Sequence, residues 1–198
     1  MNQVVIASKN KHKLEEIKAI LKDFPLIIKS MDEVGLENLE IIEDGETFEE
    51  NSMKKAVEVM KETGAIAIAD DSGLEVKAIN NQPGVYSARF SGEGATDEKN
   101  NEKLLHMLKD LPMEERNARF VSVISVAFPD SKKISVRGEC KGVIGFEKKG
   151  ESGFGYDPLF IVPEYDKTFA ELGSVVKNKI SHRANALEKL KVALGEVL

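Results

Sequence analysis

Residues Ala65–Ala69 read Ala-Ile-Ala-Ile-Ala, an apolar run with no polar interruption, and Asp70-Asp71-Ser72-Gly73 follows at once. A strand with nothing polar on either side must be covered on both faces, as in a sheet sandwiched between helices. The preceding segment supplies a helix. Thr47-Phe48-Glu49-Glu50 has capping-box spacing: the Thr47 hydroxyl accepts from a first-turn amide while Glu50 reaches back. Phe48, Ala56, Val59 and Met60 fall broadly on one side, and Gly64 is a natural stop. A capped helix running straight into a two-sided strand directs the chain toward an α/β arrangement.

The rest of the chain extends the pattern. A strand is expected at Val4–Ala7, a loop at Ser8–Lys13, and a helix from about Leu14 to Leu21 with Leu14, Ile17 and Leu21 inward. Pro25 closes that unit, and Leu26-Ile27-Ile28 reads as a second strand. Residues 31–45 are polar and irregular, ending in an Asp44-Gly45 turn. Beyond the two acids, Leu74–Ala78 alternates like a half-buried strand, and the Gly- and Ser-rich stretch Gln82–Ala95 carries Tyr86, Arg89 and Phe90. Thr96 can cap a helix to about Leu111, halted by Pro112. Strands are expected at Arg119–Phe128, Ile134–Cys140 and Val143–Glu147, then a glycine-punctuated loop, Gly150–Pro158, and a strand at Leu159–Val162. A helix from about Ser181 to Leu194 ends the chain. Helices alternate with strands early and strands cluster late, so the expected sheet is mixed.

Length and composition narrow the class. A chain of 198 residues without a polar linker suits a single domain over 1–198, with an early and a strand-rich lobe on either side of a cleft. The lone Cys140 excludes an internal disulfide and fits a reducing cytosol. The N-terminus has no signal-peptide pattern, and no run approaches the roughly 20 apolar residues of a membrane span, so a cytoplasmic protein without a membrane partner is expected. The formal charge is −6 with no basic block, which disfavours nucleic acid as a partner.

Four segments carry chemistry. Two adjacent carboxylates repel unless a cation, a proton or a basic group intervenes, so Asp70-Asp71 is either a divalent-metal site at a strand end or an ordinary Asx turn. Glu43, which has no helix-capping role, is a further candidate, whereas Glu49 and Glu50 suit the positive end of a helix. Ser8-Lys9-Asn10-Lys11-His12-Lys13 lies between strand and helix, where open amides and lysines favour anions; it is a phosphate cradle or a solvated basic turn, and not a Walker A loop. Gly153-Phe154-Gly155-Tyr156-Asp157-Pro158 lets backbone approach a ligand, with an aromatic to stack on a base and Asp157 to accept from it; the alternative is a loop packed by its own aromatics. Lys177 and Ser181-His182-Arg183 offer donors near a helix start, or simply a polar first turn.

Ser8-x-Asn10-x-x-Lys13, Ala69-Asp70-Asp71-Ser72-Gly73-Leu74, Pro83–Arg89, Phe154–Pro158 and Ser181-His182-Arg183 resemble, in order and spacing, the inosine triphosphate pyrophosphatase family. The resemblance spans residue 4 to about 194. It implies an α/β fold with a long mixed central sheet flanked by helices, in two lobes around a nucleotide. It implies magnesium-dependent hydrolysis of ITP, dITP and XTP to monophosphate and pyrophosphate, typically by a homodimer. By position, Ser8, Lys9, Asn10, Lys11, His12 and Lys13 correspond to the triphosphate cradle, and Glu43 and Asp71 to the metal carboxylates. Asp71 also corresponds to the proton acceptor. Lys54 and Ser72 correspond to substrate contacts, and Phe154, Gly155, Tyr156, Asp157, Lys177, His182 and Arg183 to nucleoside-binding positions. Lys9, Asn80-Asn81-Gln82 and Val176 depart from the commoner pattern. Two other classes compete: a septum-inhibitor-type pyrophosphatase for modified pyrimidine nucleotides, and a noncatalytic nucleotide- or RNA-binding module, which has no use for Glu43 and Asp71.

Overall fold

The computed structural model describes residues 2–22 and 24–195. Its elements run β1 (Asn2–Ile6), α1 (Lys11–Leu21), β2 (Leu26–Ser30), α2 (Phe48–Thr63), β3 (Ile66–Val76), β4 (Gln82–Pro83), α3 (Asp97–Met107), β5 (Asn117–Ala127), β6 (Lys133–Ile144), β7 (Phe160–Val162), β8 (Lys167–Thr168), α4 (Phe169–Ile180) and α5 (His182–Gly195). The strands form one mixed sheet in the order β2-β1-β3-β5-β6-β7-β8, with β4 paired to β3. β1 runs parallel to β2 and β3, in register Val4–Ile28 and Val4–Ile66, whereas β7 is antiparallel to β6 and β8. The chain divides into two compact units: residues up to Asp71 with Ser122–Gly138 and the chain from Arg183, and Ser72–Val121 with Glu139–His182.

In the first unit the strands are covered on both faces, as the Ala65–Ala69 run requires. Val4, Ile6, Ile68, Ile124 and Val126 pack with Ile17 and Leu21 of α1 and with Ala186, Leu187, Leu190 and Leu194 of α5. The alternate residues Val5, Ala7, Ala67, Ala69 and Ala127 meet Ala56 and Val59 of α2. Helix α2 has the expected limits. Thr47 and Glu50 form a reciprocal capping box, and Gly64 ends the helix at φ 63°.

The second unit is built around Leu74, Val76, Phe120, Ile144, Phe160 and Phe169, with the Phe120 ring 4.6 Å from Phe160 and 5.8 Å from Phe169. Arg116 is buried against this core and donates to the carbonyls of Leu108, Ile144 and Gly145 at 2.9–3.0 Å, satisfying backbone acceptors that the turns leave open.

Several local expectations change. The acids do not lie at a strand's end or in a turn: β3 continues through Asp70-Asp71-Ser72-Gly73 to Val76. Long-range partners for both carboxylates replace the local bonds that an Asx turn would have made. The two strands expected at Ile134–Cys140 and Val143–Glu147 are one, β6. Gly142 within it serves close packing, since a Cβ there would lie 2.4 Å from the Ile161 carbonyl and 2.6 Å from the Phe160 ring. Helix α1 starts at Lys11, three residues earlier than expected, because Asn10 caps it. Helix α3 ends at Met107 instead of Leu111. Helix α4 was not expected at all. It opens with a second capping box, Thr168 to Glu171, and is interrupted at Gly173, whose φ of 75° and ψ of 172° break the helical pattern.

Candidate active site

In the first unit the chemistry gathers where α1 begins, α2 passes and β3 crosses. Successive strand side chains leave opposite faces of the sheet, so neighbouring aspartates meet different surroundings. Asp70 is 1% exposed. Its Oδ2 binds the Lys13 ammonium at 2.9 Å and the Arg183 guanidinium at 3.3 Å, and its Oδ1 accepts from the Ser122 hydroxyl at 2.5 Å. Arg183 also pairs with Glu16 of α1. Burial by itself would raise the Asp70 carboxyl; Arg183, Lys13 and Ser122 outweigh it and hold the group well below the usual carboxylate range. Asp70 is therefore a fixed anion that anchors two cations.

Asp71 is 5% exposed and differently placed. Lys55 of α2 lies 3.5 Å from its Oδ1 and 3.1 Å from Glu43, so one ammonium spans two carboxylates. The Asp71 Oδ2 atom is buried and makes no hydrogen bond. Burial raises this carboxyl, Lys55 and Lys13 pull it down, and Glu43 and Asp70 oppose them; the outcome lies above the ordinary value. Such a carboxylate is the more basic of the two and has a lone pair to use.

Lys55 is the residue that sequence reasoning missed. Lys54, named instead, turns outward and pairs with exposed Asp44 at 2.6 Å. The signal was present: Phe48, Asn51, Ser52, Lys55, Ala56 and Val59 are the buried residues of α2, at the i, i+3, i+4, i+7 spacing of one face. Lys54 lies about 100° around the helix from Lys55.

The Ser8–Lys13 loop differs from the expected cradle of open amides. Asn10 Oδ1 already accepts from the His12 and Lys13 amides at 3.0 and 3.2 Å, and Ser8 Oγ accepts from the Asn10 amide at 3.2 Å. What the loop presents is its side chains, with Lys9, Lys11 and His12 exposed and Lys13 drawn toward Asp70.

Among the described residues no three His, Cys, Asp or Glu side chains gather as a metal cluster. The Glu43–Asp71 pair nevertheless suits a hard divalent cation. Both donors are carboxylate oxygens, one oxygen of Asp71 is buried without a partner, and an ammonium already sits between them. Magnesium takes one or two carboxylates and completes its shell with phosphates and water.

The second unit holds a separate group. Asp157 Oδ2 accepts from Lys177 at 2.7 Å and from the Phe154 amide at 3.0 Å, which ties α4 to the Gly153–Pro158 loop. Gly153 is required there, since a Cβ would lie 2.1 Å from Asp157 Oδ2. The Lys177 ammonium stands 4.5 Å from the Phe154 ring centre. Of the two aromatics of this loop Tyr156 is buried, and its hydroxyl donates to the Ser87 carbonyl at 2.7 Å. Phe154 is the partly exposed ring of the loop, and Asp97 and Asn101 bond the Gly155 backbone at 2.7 and 2.9 Å. His182 stacks on Phe120 at 4.8 Å and starts α5, and Ser72 follows Asp71 on β3. Arg183, expected with the nucleoside group, belongs with Asp70 and Glu16 in the first unit.

Comparison with known proteins places this arrangement. Residues 4–193 match the Ham1 family. A dITP/XTP pyrophosphatase of Clostridium perfringens is 52% identical, with both chains covered in full. Among solved structures, a HAM1 protein from Coxiella burnetii superposes with a TM-score of 0.90 at 40% identity, both chains covered in full. The Staphylococcus aureus Ham1 protein superposes with a TM-score of 0.88 at 43% identity, covering 98% of each chain. A fold match at that identity, together with a family match across nearly the whole sequence, makes this chain a member of the Ham1 family.

Proposed function

We propose that this chain hydrolyses the non-standard purine nucleotides ITP, dITP and XTP to monophosphate and pyrophosphate, clearing them from the nucleotide pool. The observation that carries the chemistry is the division of labour between neighbours: Asp70 is ion-paired with Lys13 and Arg183 and hydrogen-bonded by Ser122, while Asp71 keeps a buried oxygen without a partner. A base for water needs that second kind of carboxylate. The names of the curated relatives support the substrate class.

Asp71 takes the proton of a water that attacks the α-phosphorus; the bond from that phosphorus to the bridging oxygen breaks, and pyrophosphate leaves. Lys55 and the lysines of the Ser8–Lys13 loop offset the charge of the triphosphate. Glu43 and Asp71 would hold a magnesium ion, whose chemistry is to neutralise the phosphates and to keep the adjacent carboxylates ionised. Phe154 offers a ring face to the base. The Lys177 ammonium can only donate, so it suits an oxo group and has nothing to accept from the amino group of adenine. A mismatch of that kind costs about 1–3 kcal/mol per unpaired buried group.

The family match over residues 4–193 supports a single domain over 1–198. A homodimer is what the family resemblance implies, and the lone Cys140 fits a cytoplasmic location; light scattering on the purified protein tests the first. The function is tested by incubating ITP, dITP, XTP, GTP, ATP, dUTP and dTTP with the protein and magnesium. Pyrophosphate from the first three is expected. Orthophosphate release, or turnover confined to pyrimidines, overturns the proposal.

A further inference from the structure

Glu43 stands on the irregular segment before α2, and a carboxylate on a loop holds no fixed place unless something fastens its backbone. The fastening is Asn51. Its Oδ1 accepts from the Gly45 amide at 2.8 Å and its Nδ2 donates to the Gly45 carbonyl at 3.4 Å, so one side-chain amide closes on both polar groups of a residue two positions from Glu43. Asn51 is 1% exposed, so its side-chain amide is withdrawn from solvent and its polar atoms are committed to Gly45. The fit depends on residue 45 having no side chain: a Cβ at Gly45 would lie 2.7 Å from Asn51 Oδ1 and 2.8 Å from Glu50 Cβ. Glu50 adds a bond from the Glu46 amide at 2.8 Å. One turn along the same face, Lys55 meets the Glu43 carboxylate at 3.1 Å and Asp71 at 3.5 Å. The i, i+4 pair on α2 therefore grips the segment twice, Asn51 by its backbone and Lys55 by its acid.

We propose that Asn51 is a positioning residue for divalent-cation binding, setting Glu43 opposite Asp71 through its clasp on Gly45. This rests on the assignment of Glu43 and Asp71 to the cation. Loss of an outer partner of a metal ligand costs roughly 10–100-fold in metal affinity. Removing the clasp leaves both carboxylates and the Lys55 contact present but releases the backbone that carries Glu43, so affinity for the ion falls much more than the rate once the ion is saturating.

The test is direct binding of manganese(II) to the nucleotide-free protein, followed by electron paramagnetic resonance, with the wild type, Asn51→Ala, Gly45→Ala and Glu43→Gln compared. Thermal melts establish which variants are folded. Gly45→Ala strains the same clasp from the other side, so it carries the test if Asn51→Ala does not fold. The expected result is a dissociation constant raised at least about tenfold in Asn51→Ala and Gly45→Ala. ITP turnover should need correspondingly more metal while kcat at saturating metal falls far less. Wild-type manganese affinity in the folded variants overturns the positioning role. A loss of kcat with unchanged affinity overturns it as well. If the wild type binds no manganese, or Glu43→Gln binds it as the wild type does, the failure lies with the metal assignment itself.

Discussion

Adjacent aspartates with opposite surroundings should respond oppositely to the same isosteric change. Asp70→Asn removes the charge that Lys13 and Arg183 share, and Arg183 is 1% exposed. Breaking a buried ion pair from one side costs about 3–5 kcal/mol, because the remaining charge stays desolvated. Here Glu16 still holds Arg183, and Lys13 is not fully buried, so the lower end, about 3 kcal/mol, is expected. For a chain of this length that is roughly 6–12 °C in Tm. Asp71→Asn removes a charge that the fold disfavours and one 3.5 Å contact to Lys55, so its stability should stay within about 1 kcal/mol of the wild type. Its turnover of ITP should fall by at least about 100-fold, the usual contribution of a general base.

The pH dependence gives a second reading of the same pair. The Asp70 carboxyl is held well below its ordinary 3.8, so its contribution is complete above that value and is lost as pH falls toward the folded-state pKa. The gap between wild type and Asp70→Asn should be constant from pH 8 to about pH 5 and narrow below about pH 4. Asp71 is raised instead, so ionising it favours the unfolded chain, and any advantage of Asp71→Asn should fade as pH falls below about 4. Urea unfolding monitored by circular dichroism across this range measures both. An Asp70→Asn variant within about 1 kcal/mol of the wild type at pH 7, or a gap that widens in acid, refutes the assignment of Asp70 as the buried anchor.

Lys55→Met should cut ITP turnover at least about tenfold while Lys54→Ala changes it less than about twofold, because only the first faces Glu43 and Asp71; steady-state kinetics on both variants decides it. Lys177→Met should raise KM for ITP and narrow the preference for ITP over ATP, measured as a ratio of kcat/KM, since it takes away the buried donor paired with Asp157. Cys140 is buried, and burial pushes its thiol up to about 11, so iodoacetamide at pH 8 should label the native protein much more slowly than the urea-unfolded chain, as read by mass spectrometry.

What the sequence made legible was whatever local bonding decides. Helix α2 kept both its expected limits because Thr47, Glu50 and Gly64 act within a turn of the ends they define. Tertiary contacts decided the rest. Asp-Asp-Ser-Gly has good turn chemistry, yet Lys13, Arg183, Ser122 and Lys55 lie 16 to 113 positions away and hold those acids in an extended strand. Gly142 reads as a break between strands and is instead a point of contact with Phe160 and Ile161. Helix α4 carried a capping box at Thr168–Glu171 as clear as that of α2, but Gly173 interrupts the periodicity two residues after it.

The same distinction separates the parts of the site. The acids and the lysine loop stand out in the sequence because phosphate and metal chemistry demands their charges, wherever they lie in the fold. Which lysine of Lys54-Lys55 turns inward depends on the helical face, and Asn51 carries no charge to draw attention. Asn51 nevertheless shares that face with Lys55, and both contact the segment that carries Glu43. If a charged pair is held by a neutral clasp, replacing the clasp should alter how tightly a cation binds before it alters what the acids can do. Residues such as Asn51 are therefore found by asking what fixes each catalytic group, since their own chemistry does not announce them.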